Sequence, residues 1–440
     1  MDQAILVAAG TGIEDENLSS HGSEVFGALP QIKRLVITAQ RAGISKFTVI
    51  TETGGNHLKE LLSNDKRVDS DISWHQAGTP LDSGNGRSLV LQSNLITTPK
   101  SLSNFIDTES RDDEIVVLAD MSDDAWVKTG KDGVTDLFET GGRVVGAYIA
   151  SGELLEKAVM NSMSIKNLVL ELVPSGKVKY KKLEGGYWMR LGSEEGSVKD
   201  AEDLIFSTVG KTATGWISRN INSKFSLPTS RQLIKTPLTP NMISILINVI
   251  GSLCGVFYAL GHPVVGALFM HTATILDRCD GEVARVKLME TKKGEWVDTV
   301  SDQFTVLSFL IGVPLGYYFA SGKPIALILG GLNVSIFLFF VIWSFYFLTR
   351  YTNSGSLVTY FEVDKLVEVK DTSFMRKLIK IVRPLGRRNV YSLAFVGIAI
   401  FGGYPWVLWI TTVAAVMFFL HQIEDIIRIL RVKPDTGALK

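Results

Sequence analysis

The chain has 440 residues, enough for two or three domains, and 46% of them are hydrophobic, more than one soluble core usually needs. Its 45 basic and 45 acidic residues cancel to a formal charge of zero, which removes any global case for nucleic-acid binding and leaves local charge to be read segment by segment. Two cysteines, Cys254 and Cys279, lie in apolar segments without the spacing of a metal knuckle or a disulfide framework, so they read as small buried hydrophobes.

The opening MDQAILVAAGTGIEDEN lacks a basic leader and has too short an apolar run for a signal peptide, so the first domain is expected to stay in the cytosol. Residues 1–212 read as an α/β domain of Rossmann-like kind, with short β-rich runs alternating with helical stretches around a mostly parallel sheet. Strands are predicted at 4–9, 47–51, 114–119 and 143–150, and crossover helices at 29–42 and 86–95. Residues 213–240 change character. TGWISRNINSKFSLPTSRQLIKT mixes Trp216, Ile217, Ile221, Phe225 and Leu227 with Arg219, Lys224, Arg231 and Lys235, which suits an amphipathic helix at a membrane interface; an ordinary basic linker is the bland alternative.

From 241 to 432 the chain reads as an all-α membrane domain of six apolar segments, at 242–260, 264–286, 296–320, 325–348, 391–401 with its flanks, and 405–430. Most are close to the ~20 residues needed to span a bilayer. With the amino terminus inside, the outer turns hold a single Lys or Arg, Lys323. The inner loops hold Lys287, Lys292, Lys293, Arg376, Lys377, Lys380, Arg383, Arg387 and Arg388, which orients the bundle by the positive-inside rule.

Between the second and third segments runs DRCDGEVARVKLMETKKGEWVDTVSD. A charged aspartate near a bilayer centre costs about 2.5–3.5 kcal/mol on insertion scales, so four of them need a counter-charge. Asp277 and Asp280 are three apart, and Asp298 and Asp302 are four apart, so each pair shares a helical face, and a short hairpin lets the two faces converge. Convergent carboxylates without basic residues on the same faces make a hard-oxygen cation site suited to Mg²⁺ or Mn²⁺. Gly281, Ala284 and Gly294 are small enough for a ligand to approach closely. A carboxylate-lined cation pathway is the rival reading, but the second segment offers little beyond His271, Thr272 and Thr274 to extend it across the membrane. His271 reads as a packing or hydrogen-bonding residue.

The run Asp277-x2-Asp280-Gly281-x2-Ala284-Arg285-x8-Gly294-x3-Asp298-x3-Asp302 resembles, without gap or exception, the signature of the CDP-alcohol phosphotransferases. PLTPNMIS before the first segment resembles that family as well, with Ser244 where many members have Thr. The resemblance covers about residues 222–430. It implies transfer of a substituted phosphate from a CDP-alcohol to a second alcohol with release of CMP. It also implies Asp277, Asp280, Asp298 and Asp302 as ligands of one or two Mg²⁺ or Mn²⁺ ions, and Asp302, beside Asp298, as the catalytic base. Gly281, Ala284, Arg285, Gly294 and Asn241 would contact the CDP moiety, and the enzyme would be a homodimer among membrane lipids. The expected donor is CDP-diacylglycerol or a similar CDP-lipid; the alternative is CDP-inositol in a di-inositol-phosphate-type synthesis. Arg350, Arg387 and Arg388, with Lys287, stand at inner ends of segments and could receive a phosphorylated acceptor such as an inositol phosphate, or serve only as topology and headgroup contacts.

The first domain, through ILVAAGTG, LPQIKRLVITAQRAGISKFTVIT, Gly84-Asn85-Gly86 and VVLAD ending at Asp120, resembles the sugar-nucleotide and inositol-phosphate nucleotidyltransferases. The two-domain order is similar to archaeal enzymes that make CDP-inositol and then use it. Departures imply degeneracy: Glu14, Asp15 and Glu16 stand where triphosphate charge needs neutralising, and Trp188 is followed by Met189 and Arg190 instead of a metal-binding acid. Asp120 is left as a lone ligand, Lys33, Arg34 and Asp200 are the residues that could compensate, and a scaffold, dimerisation or regulatory role is expected. A live cytidylyltransferase is the alternative.

Overall fold

The computed structural model describes residues 1–8, 23–51, 56–63, 65–81, 86–121, 143–192, 196–211, 218–361, 387–402 and 404–432. The predicted Gly-rich loop with Gly10, Gly12 and Glu14, Asp15 and Glu16, together with Gly84, Asn85, Trp216, Ile217, Arg376, Lys377, Lys380 and Arg383, lies outside the described residues. The chain divides into two compact units, Met1–Ile205 and Phe206–Lys440.

The first unit runs through β1 (Gln3–Val7), β2 (Val25–Phe26), β3 (Leu29–Pro30), α1 (Gln31–Arg41), β4 (Lys46–Thr51), α2 (Asn56–Ser63), β5 (Asp71–Gln76) and β6 (Arg87–Gln92). It continues through β7 (Leu95–Thr97), α3 (Pro99–Ile106), β8 (Ile115–Asp120), β9 (Arg143–Ser151), α4 (Gly152–Met160), α5 (Ile165–Leu172), β10 (Val178–Lys182) and β11 (Trp188–Arg190). α6 (Val198–Lys211) contains the boundary between the units. Seven strands form one sheet in the order β10-β8-β9-β6-β1-β4-β5. Most neighbours are parallel, as expected, but β9 is antiparallel to both β6 and β8, so the sheet is mixed.

Each sheet face builds its own core, one with Leu6, Val49, Leu89 and Leu91 against Leu35 of α1 and Phe105 of α3, the other with Ile5, Val90, Val117 and Tyr148 against Leu155 and Leu168. One expectation fails here: residues 86–95 do not form a crossover helix. They form β6 and the start of β7. Leu89, Val90 and Leu91 are all fully buried between β1 and β9, and a strand covered on both faces reads as a continuous apolar run that periodicity cannot tell from a helix.

The second unit consists of α7 (Ser223–Leu233), preceded by a π-helical turn at Ser218–Asn222, then α8 (Pro240–Ala259), α9 (Pro263–Leu276), α10 (Arg278–Val286) and α11 (Lys292–Ser321). Among the described residues it continues through α12 (Ile325–Tyr351), α13 (Leu357–Phe361), α14 (Arg388–Ile400) and α15 (Tyr404–Val432). Among the described residues, four helices, Pro240–Ala259, Lys292–Ser321, Ile325–Tyr351 and the Pro405–Ile427 part of α15, are long and apolar enough to cross a membrane. The expected second and fifth segments are shorter helices of 14 and 13 residues; α9 passes through a helical Asp277 into α10. α8 and α11 pack without side chains between them at one level, where a Cβ on Gly312 would meet the Gly255 carbonyl oxygen at 2.1 Å. Both cysteines are buried and free.

Candidate active site

The acids are brought together by a tight hairpin. α10 ends in a capped turn in which Leu288 takes a left-handed conformation (φ 51°) while the Met289 amide donates back to the Ala284 carbonyl at 2.7 Å. Thr291 then caps α11, its hydroxyl accepting from the Gly294 amide at 3.0 Å. The turn carries the chain back so that the start of α11 faces the end of α9. One carboxylate oxygen from each of Asp277, Asp298 and Asp302 lies within 4.8 Å of the other two.

Asp280 has partners of its own. It stands outside that three-acid group and is 7% exposed, with one oxygen accepting from the Ser244 hydroxyl of α8 and the other from the Gly281 amide. It also contacts Asp298 through its side chain. Ser244, noted in the sequence only as a departure, is therefore the hydroxyl that orients an acid.

Among the described residues one guanidinium reaches the group. Arg388, from the first turn of α14, donates Nη1 to Asp302 Oδ1 at 2.7 Å and to Asp277 Oδ1 at 3.5 Å, while its Nε and Nη2 are buried without a partner. The sequence places this residue among acceptor contacts; the structure places it against the acids. Among the described residues, four ionised carboxylates against one guanidinium would leave three negative charges in a small volume, and like charges at such separations favour a cation between them. An all-oxygen donor set with an uncompensated charge fits a Mg²⁺- or Mn²⁺-type ion.

The residues expected around a nucleotide line the same hairpin. A Cβ added to Gly294 would lie 3.2 Å from Thr291 Oγ1 and 3.3 Å from Asn241 Oδ1, so Asn241 and Gly294 are neighbours across α8 and α11. A Cβ on Gly281 would meet only the far end of Arg285, at 3.8 Å, which leaves space above the helix. Ala284 is 9% exposed, and Arg285 extends to Glu290 at 3.7 Å. Arg350 and Arg387 are exposed at the ends of α12 and α14. Lys287 is buried, and its ammonium donates to the carbonyls of Thr236 and Leu238 at 3.0 and 3.2 Å in the stretch leading into α8. His271 bonds to Ser392 at 3.1 Å, the hydrogen-bonding role expected of it.

Residues 237–361 match the family model described as CDP-alcohol phosphatidyltransferase. The chain carries a CDP-alcohol phosphatidyltransferase domain. That phosphotransferase domain holds all four aspartates, Asn241, the two glycines and Arg350, while Arg387 and Arg388 lie beyond its matched residues. Curated relatives carry the name "Bifunctional IPC transferase and DIPP synthase". That of Archaeoglobus fulgidus is 23% identical over 354 residues, 76% of this chain and 70% of the relative; that of Thermococcus kodakarensis is 25% identical over 346 residues, 72% and 78%. Either match is longer than one unit, so it includes residues of both. The Aquifex aeolicus relative is 30% identical over 175 residues, and the chain spans only 40% of its length. Among solved structures, an inositol-1-phosphate CTP transferase from T. maritima is similar at 15% identity and a TM-score of 0.36, covering 46% of this chain and 94% of that one.

In the first unit the residues expected to act have structural partners. Asp120, at the end of β8, accepts from the Trp188 indole at 2.8 Å. Lys33 pairs with Asp65 at 3.2 Å, and Asp200 accepts from Ser197 at the start of α6. Arg34 is 4% exposed, donates to the Phe26 and Gly27 carbonyls and stacks over the Phe26 ring, and burial lowers its pKa to about 10.

Proposed function

We propose that the chain is a multi-pass membrane CDP-alcohol phosphotransferase, with its active site and first unit on the cytoplasmic side. It moves a substituted phosphate from a CDP-alcohol to a second alcohol and releases CMP. The observation that carries this reading is the convergence of Asp277, Asp298 and Asp302 within 4.8 Å, close in the chain to Gly281, where an added Cβ would meet nothing nearer than the far end of Arg285 at 3.8 Å. A Mg²⁺ or Mn²⁺ ion held by these acids, with Asp280 behind them, would neutralise the pyrophosphate and the departing CMP.

The protein's own groups do the rest. Asp302 accepts the proton of the acceptor hydroxyl, whose oxygen bonds to phosphorus as the bond to CMP breaks. Asp298, one turn earlier on the same face, sets the position of that carboxylate. Arg388 screens Asp302 and Asp277 from each other and, with Arg350 and Arg387, offers charge to a phosphorylated acceptor. Asn241 and Gly294 border the cytidine.

The donor in this reading is CDP-diacylglycerol or a similar CDP-lipid, and the acceptor is an inositol phosphate. The second reading has CDP-inositol as donor; the alignments that run through both units of relatives named as DIPP synthases favour it. Purified chain incubated with Mg²⁺ and a matrix of CDP-lipid and CDP-polyol donors against candidate alcohols separates the two by CMP release. CMP release from none of the pairs would overturn both.

A further inference from the structure

α10 carries Asp280, Gly281, Ala284 and Arg285, yet it is only nine residues long and joins α9 at a single residue, Asp277. A helix of two and a half turns does not hold its own place; something must hold it. The described contacts show what does. Glu282 is 1% exposed, and its two carboxylate oxygens accept from two hydroxyls of α7, Ser226 at 2.8 Å and Ser230 at 2.7 Å. Arg278, one turn before it, donates to Glu282 at 3.1 Å and to both the carbonyl and the hydroxyl of Ser218 at 2.6 Å. Cys279 approaches the Ser226 carbonyl at 3.6 Å and lies beside the Ser230 hydroxyl.

This network changes the meaning of α7. Its fully buried residues are serines, Ser226 and Ser230 at 0% exposure, while Phe225 is 58% exposed. The face turned toward α10 is thus hydroxylic. A merely adhesive contact would be served by apolar side chains, which pack without the desolvation penalty of a buried carboxylate; a satisfied ionic network instead fixes direction and register. Neither Arg278 nor Glu282 belongs to the spaced acids and glycines that suggest the chemistry.

We propose that Glu282 is a positioning residue: through Ser226 and Ser230 it locks α10 onto α7 and thereby sets where Asp277 and Asp280 stand against Asp298 and Asp302. The inference rests on the reading that these acids hold a divalent ion.

The test is Mn²⁺ binding to the full-length chain in detergent, followed by electron paramagnetic resonance, with CMP release measured in parallel. Glu282→Gln keeps the shape and removes the charge. It is expected to weaken Mn²⁺ binding about tenfold, in the range seen when the support of a metal ligand is removed, and to lower kcat with little change in KM for the CDP donor. Ser230→Cys places a thiol beside Cys279. In the Glu282→Gln background, oxidation of that pair by diamide should restore Mn²⁺ affinity by linking α7 to α10, and reduction should remove it again. Should Glu282→Gln fail to assemble, Ser226→Ala with Ser230→Ala carries the same comparison. Parent-like Mn²⁺ affinity in the variant, or no recovery on oxidation, overturns the positioning role. Failure of the parent itself to bind Mn²⁺ would instead overturn the reading of the acid site.

Discussion

Two sets of charged residues, one in each unit, meet opposite fates. In the second unit three carboxylates crowd within 4.8 Å, and among the described residues a single guanidinium, that of Arg388, pairs with two of them, which leaves negative charge over. In the first, the described residues expected to act have quiet partners: Asp120 the Trp188 indole, Lys33 the Asp65 carboxylate, Arg34 two carbonyls and a ring. Charge left over is what a fold keeps for a ligand, because a protein that only needed stability would pair it or remove it. The comparison teaches that residue type alone does not mark a site; the balance of the surrounding charge does.

The sharpest way to break the comparison is to complete the acid cluster artificially. Asp298→Asn removes one negative charge at nearly constant volume, and CMP release is expected to fall by about 100- to 10,000-fold, the span covered by loss of a group acting on a reacting proton or its support. Exhaustive chelation should abolish turnover in the parent, and added Mg²⁺ or Mn²⁺ should restore it. Full activity after chelation would show that the acids balance their charge without an ion.

Much of this was legible in the chain, and the part that was not has a physical reason. The acids and glycines of the hairpin are close in sequence, so helical geometry and a short turn suffice to bring them together. The strand at β1, the helix at α1 and the strands at β4, β8 and β9 declare themselves through flanking turns and period. β6 did not, since burial on both faces erases the period. Arg388 reaches Asp302 across 86 positions, and Ser230 reaches Glu282 across 52; no local pattern encodes such meetings. A signal for the latter existed nonetheless in two serines four apart on a helix otherwise judged by its basic and apolar residues.

A smaller perturbation sharpens the same site. Gly294→Ala places a methyl 3.2 Å from Thr291 Oγ1 and 3.3 Å from Asn241 Oδ1, so both neighbours must yield by a few tenths of an ångström. KM for the CDP donor is expected to rise roughly tenfold, about 1.4 kcal/mol, with kcat changed less. An unchanged KM would remove Asn241 and Gly294 from the donor's border.

In the first unit the expected effect is on local stability alone. Arg67, through side-chain and backbone hydrogen bonds, and then Lys33 hold the Asp65 carboxyl well below the usual carboxylate range. A depressed native pKa means that the unfolded segment takes up the proton first as pH falls. The stabilisation is therefore complete above the ordinary value of about 3.9 and drains away below it. Asp65→Asn should speed exchange of the amides at 65–69 at neutral pH by an amount equivalent to about 1 kcal/mol or less, and the difference from parent should shrink steadily as pH falls below about 3.9. CMP release should not change.

The smallest effect is a null one, and it bears most directly on the two-unit contrast. Purified chain given CTP, Mg²⁺ and a series of alcohol phosphates is expected to release no pyrophosphate. A triphosphate with about four negative charges needs concentrated positive charge, whereas Lys33 is occupied by Asp65, Arg34 is turned into the β2–β3 hairpin, and Asp120 is bound to an indole where a metal ligand would have to face a nucleotide. Pyrophosphate released at a rate matching CMP release would mean that these pairings open on binding, and that the first unit supplies the very donor the second consumes.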